Sequence, residues 1–174
     1  MDFPGLRERL RRDPEAALAR MKKEHVPLLY WTAAAWGAAI ALKVNDSELS
    51  ADQKLAEALA RRALALDETW DAGTIHDFFI AYEAGRASVG GSIERAREHF
   101  ERATRIAGGR RAFPYVTFAE SASVSQQNRQ EFKALLEQAL SLDASRPSDY
   151  RLANVLAQKR ARWLLSRTEE LFIE

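Results

Sequence analysis

The 174-residue chain contains no cysteine, which excludes disulfide bonds, thiolate metal sites and cysteine nucleophiles while leaving the redox compartment open. It also lacks a charge of one sign. Lys and Arg number 26 against 25 Asp and Glu, a net charge of +1, so no long-range field gathers nucleic acid or anionic lipid, and no nucleic-acid partner is expected. The basic clusters Arg110-Arg111 and Lys159-Arg160-Ala161-Arg162 read as solvated helix ends and faces. The first residues, Met1 to Arg9, mix acids and bases without an apolar run, so no secretion signal is expected within this chain.

The motifs of common enzyme classes are missing too. There is no GxxxxGK[ST] phosphate loop and no G-x-S-x-G nucleophile elbow. The three histidines, His25, His76 and His99, do not form the H-E-x-x-H pair that sets two imidazoles on one helical face. No nucleophile–base constellation emerges, so no catalytic residue, cofactor or metal is expected. The longest charge-free run, Val26 to Leu42, is 17 residues and sits at the lower limit for spanning a bilayer. Six of its residues are alanine, with Pro27, Thr32 and Gly37 among the rest. Its transfer energy is therefore weak, and a central buried helix is the expectation. Gly37, surrounded by small side chains, is expected at a close helix crossing.

What is present is a series of helix signals, and no alternating strand pattern. Asp13-Pro14 reads as an N-cap followed by proline in the first turn, and Ser50 to Gln53 and Asn128 to Glu131 have capping-box spacing. Gly90-Gly91-Ser92 and Gly108-Gly109 bracket a helix over 93–107. The spacing predicts helices over 5–24, 27–43, 51–66, 74–87, 93–107, 112–125, 129–142 and 148–172. Ala63, Ala103 and Ala139 fall in similar local patterns and are separated by 40 and 36 residues, near the length of a tetratricopeptide helix pair. The fold class expected is all-α: one tetratricopeptide-like helical-repeat superhelix over 1–174. Its helix pairs would lie over 27–66, 74–107 and 112–142, with capping helices 5–24 and a long C-terminal 148–172.

Aromatic residues concentrate on the first helix of each pair: Tyr30, Trp31 and Trp36, then Phe78, Phe79 and Tyr82, then Phe113, Tyr115 and Phe118. On those helices they would line a concave wall suited to an apolar or amphipathic ligand, or form plain core. His76 shares a helical face with Phe79 and Glu83. It would either meet a ligand or serve as a core histidine bonded between helices, while Asp77 points about 100° away around the helix. Asn154 and Gln158 lie four residues apart on the last helix, either bordering a pocket or fixing the helix's register. The candidate ligand-binding set is therefore Tyr30, Trp31, His76, Phe79, Tyr82, Phe118, Asn154 and Gln158.

Three segments together resemble the T component associated with tripartite ATP-independent periplasmic (TRAP) transporters. They are Leu29-Tyr30-Trp31-Thr32-Ala33-Ala34-Ala35-Trp36-Gly37, Gly90-Gly91 with Ala96-Arg97-Glu98-His99-Phe100-Glu101-Arg102-Ala103, and Arg151 to Leu165. The resemblance implies a tetratricopeptide-like superhelix in the bacterial periplasm, often lipid-anchored. It further implies association with a periplasmic solute-binding protein, a homotrimer, and an internal cleft or pore for a small hydrophobic or organic-acid ligand. It brings no catalytic motif. The competing expectation is a general tetratricopeptide-type scaffold holding a peptide or helix in an open groove.

Overall fold

A computed structural model describes residues 5–42, 51–145 and 148–173. The described residues are all-α, without a strand. Packing groups the chain into two compact units, 1–70 and 71–174.

In the first unit, α1 (Leu6–Arg12) and α2 (Pro14–Leu18) replace the single helix expected over 5–24. The break has a local cause. Asp13 takes an extended backbone (φ −153°, ψ 90°), its carboxylate accepts from the Ala16 N–H at 3.0 Å, and Pro14 starts the next helix without needing a donor. A 3-10 turn at Lys23–His25 leads into α3 (Val26–Leu42), which packs on α4 (Gln53–Leu66). Ser50, the expected cap of α4, lies outside the described residues. The neighbouring Asp52 is buried and accepts from Arg11 Nη2 at 2.8 Å, tying α4 back to α1. Arg62 of α4 donates to the Met21 carbonyl at 2.6 Å.

The expectation that α3 is buried all round is corrected by the structure. Val26, Leu29, Tyr30 and Ala33 are buried, but Leu28, Trp31 (61% exposed) and Leu42 are bare, and Gly37 is only half-buried. The described part of the unit supplies α4 on one side, and the uniform apolarity of α3 gives it no polar face for the other. By length and composition Lys23–Leu42 is apolar enough to cross a membrane.

The second unit opens on a left-handed turn, with Asp71 (φ 46°), Ala72 (φ 53°) and Gly73 (φ 82°) in succession. It continues through α5 (Thr74–Gly85), α6 (Ile93–Ile106) and α7 (Phe113–Phe118), the last running on as a π-helical segment over Ala119–Ser123. Then follow α8 (Arg129–Ser141), α9 (Arg151–Ser166) and the short α10 (Thr168–Leu171). The long helix expected over 148–172 is thus divided. Arg167 leaves helical geometry (φ −106°, ψ 12°), and the Thr168 hydroxyl donates to the Leu165 carbonyl at 2.7 Å. Elsewhere the caps match expectation: Ser92 accepts from the Arg95 N–H, Asn128 accepts from the Glu131 N–H, and Gly108 and Gly109 end α6 at positive φ.

α3 packs on α4, α5 on α6, α7 on both α5 and α8, and α9 on α8. Ala63, Ala103 and Ala139, the alanines of the sequence repeat, are all fully buried. Ala112, Ala119, Ala157 and Ala161 surround Phe132 and Leu136 in one cluster of the second unit; Ala96 and Ala122 meet Ile80 and Phe118 in another. Small side chains let helix axes approach, and the large ones fill the space beside them.

The turn between α5 and α6 is closed by glycine. A Cβ on Gly91 would stand 2.3 Å from the Glu83 carbonyl oxygen, whereas one on Gly85 meets nothing within 4 Å. Gly91→Ala is expected to cost about 1–3 kcal/mol by overpacking. Gly85→Ala should gain up to about 1 kcal/mol from helix propensity. Urea denaturation of the two variants tests this, and equal midpoints would contradict the close approach.

Candidate functional site

Two of the buried polar groups of the second unit, His76 and Glu83, lie between α5 and α6. His76 and Glu83, seven residues apart on one face of α5, meet His99 and Arg95 on α6, a crossed order that makes the helices antiparallel. The Nδ1 atoms of His76 and His99 stand 2.8 Å apart. One of them must donate and the other accept, so the gap holds one hydrogen; a second would set two N–H dipoles head to head. Phe79 stacks on the His99 ring at 4.9 Å. Buried Glu83 accepts from Arg95 Nε at 2.9 Å, and Arg95 also donates to the Gly90 carbonyl at 2.7 Å. These contacts fix helix register. Among the described residues no three His, Asp or Glu side chains cluster as a metal site requires.

Asp77 points away from His76, as the helical period dictates, and pairs with Arg111, which also donates to the Ala72 carbonyl at 3.4 Å. Burial pushes the Asp77 carboxyl from its ordinary 3.8 up to about 6; the adjacent Arg111 pulls it down and the Asp71 charge pushes it up, neither outweighing burial. Neither this partner nor His99 was among the sequence candidates. The pairings join residues 34 and 23 positions apart, beyond the reach of helical periodicity.

The eight candidates fare differently. In the first unit Tyr30 is buried, its ring 5.2 Å from Trp70, while neighbouring Trp31 turns outward. In the second, Phe79 and Phe118 have no exposure, and Phe118 lies beneath the Arg97 guanidinium at 4.6 Å. Arg97 in turn donates to Glu131, which accepts from Ser123 at the π-helical segment. Tyr82 is half-buried, stacked on Phe78, with the Arg86 guanidinium 4.8 Å from its ring. Asn154 accepts from the Ala112 N–H and donates to the Arg110 carbonyl, both at 2.8 Å. Gln158 donates to the Ala139 and Leu142 carbonyls at 3.1 and 2.7 Å, closing the end of α8. Both amides thus hold backbone. Asn154 also borders an open cleft of about 450 Å³ lined by Arg110, Leu142, Asp143, Asp149 and Tyr150.

Residues 2–172 match the family model described as TRAP transporter T-component. The chain belongs to that family. A protein of Treponema pallidum (strain Nichols), itself uncharacterized, is 30% identical over 173 residues, covering 99% of this chain and 52% of the relative. The chain therefore spans about half the length of that relative. The family is one of transporter accessory components, not a known enzyme family. The T-component family is consistent with a periplasmic or membrane-associated location.

Within this T-component the Asp77–Arg111 pair offers a direct check on the polar interior. Carbon-13 NMR should place the Asp77 titration near pH 6; a midpoint below 4 would contradict its burial. Since the folded carboxyl holds its proton more tightly than the unfolded one, this group's contribution to stability is fully present below about pH 3.8 and lost as pH rises through about 6.

Proposed function

We propose that the chain is a non-enzymatic periplasmic accessory of a TRAP transporter. It binds the transporter's solute-binding protein and holds a small hydrophobic or organic-acid ligand. The family match over residues 2–172 carries this reading. The interior supports it, because buried titratable groups are matched to each other: His76 to His99, Glu83 to Arg95, Asp77 to Arg111. Such pairs build a rigid frame, and they leave recognition to aromatic rings nearer the surface.

Two places suit a ligand. On the first unit, exposed Trp31 packs edge-on to Tyr30 at 5.0 Å. On the second, Tyr82 accepts from Arg86 at 2.5 Å, giving an aromatic face beside a guanidinium able to receive an organic acid. His76, Phe79, Phe118, Asn154 and Gln158 would act from behind as supports. Assembly as a homotrimer and a lipid anchor on the precursor belong to the same reading. The alternative, a general tetratricopeptide-type scaffold, draws on one observation, the bare apolar face of α3 around Leu28 and Trp31.

Native mass spectrometry of gently purified protein should reveal a retained small molecule that denaturation releases. Trp31→Ala and Tyr82→Ala should weaken its binding by about 1–3 kcal/mol, the scale of an aromatic anchor, with the helical circular dichroism unchanged. A peptide held without any small molecule would favour the scaffold. Unchanged retention in both variants would remove these rings from the site.

A further inference from the structure

The outer face of α9 combines features that a solvated helix does not need. Leu152 (73% exposed), Leu156 (50%) and Trp163 (47%) are bare, and at about 100° per residue they fall within about 40° of one another around the axis. From Leu152 to Trp163 the stripe runs for about 16 Å at ~1.5 Å per residue. The helix contains no acid from Arg151 to Ser166. Lys159 borders the stripe about 20° beyond its Leu152 edge, and Arg162 and Arg151 lie about 100–120° from its centre on the same side. All three are exposed and have no ionic partner among the described residues. Arg160, on the other flank, is already engaged: it pairs with Glu120 and sits 4.1 Å from the Trp163 ring centroid.

We propose that this face docks an acidic amphipathic helix of a partner protein, one that lays its apolar edge along Leu152, Leu156 and Trp163 and its carboxylates along Lys159, Arg162 and Arg151. This stands apart from the ligand site discussed above. The charge pattern selects the occupant. A lysine bordering the apolar stripe, between Leu156 and Trp163 along the axis, matches a carboxylate fixed on a facing helix, whereas insertion into a bilayer would have to draw that ammonium back toward water. The two flanks also differ, one carrying unneutralised cations and the other the Arg160–Glu120 pair, so the surface sets the partner's orientation as well as its sign. Trp163, braced by Arg160, supplies the rigid aromatic anchor typical of such contacts.

Isothermal titration of the whole chain with a synthetic helical peptide, leucines along one edge and glutamates along a flank, tests the proposal. A peptide of the same design with lysines for glutamates, and vesicles of phosphatidylcholine with phosphatidylglycerol, serve as the other arms. The glutamate peptide should bind, more weakly as salt rises. Trp163→Ser and Arg162→Glu should each weaken it by about tenfold, with the helical circular dichroism unchanged because neither side chain is part of the buried core. No binding, equal binding of the lysine peptide, or binding indifferent to both variants would overturn the proposal. So would vesicle binding lost in Trp163→Ser without peptide binding, which would assign the face to a membrane surface.

Discussion

Close helix approach across alanine is the contact on which the other features depend. Ala63 in the first unit, and Ala96, Ala103, Ala139, Ala157 and Ala161 in the second, have no solvent exposure. With nothing larger than a methyl group at these points, the helices come near enough for short polar side chains to span the gaps. The 2.8 Å contact of His76 with His99 and the reach of Gln158 to the end of α8 both require that spacing. A bulkier residue would separate the helices and strand those polar groups without partners, adding a desolvation cost to the packing cost.

Local signals made much of the fold legible in the sequence. Asp13, Ser92 and Asn128 each accept the backbone N–H that their cap positions anticipate, and the alanine spacing marked the buried contacts. Discontinuities were harder to see. The Asp13-Pro14 cap signals a helix start inside 5–24, but the apolar spacing carries a single helix through it, and the π-helical segment at Ala119–Ser123 has no compositional mark. The interior polar pairs were harder still, because Arg111 reaches Asp77 from the loop before α7 and His99 reaches His76 from a separate helix. For the candidate site, sequence located the aromatic rings but could not separate core from surface: Phe79 and Phe118 share their spacing with Tyr82, yet only Tyr82 retains exposure. Asn154 and Gln158 stand where helical spacing placed them, and both spend their amides on backbone groups.

A division of labour follows. Charged groups in the interior are paired with one another and its amides hold backbone, while several large apolar side chains remain outside, among them Leu28, Trp31 and Leu42 on α3 and Leu152, Leu156 and Trp163 on α9. Stability alone favours the reverse, since bare leucine and tryptophan gain nothing from water. Under the proposed reading these apolar stripes, kept on otherwise well-packed helices, are contact surfaces of a member of a transporter accessory family.

The most direct test of that account is a titration of the whole chain with the solute-binding protein of its TRAP transporter, followed by analytical ultracentrifugation with both proteins folded. Saturable formation of a discrete complex is the predicted result. Two species sedimenting independently at every ratio, with each shown to be folded, would contradict the proposal that this T-component works by docking to that protein.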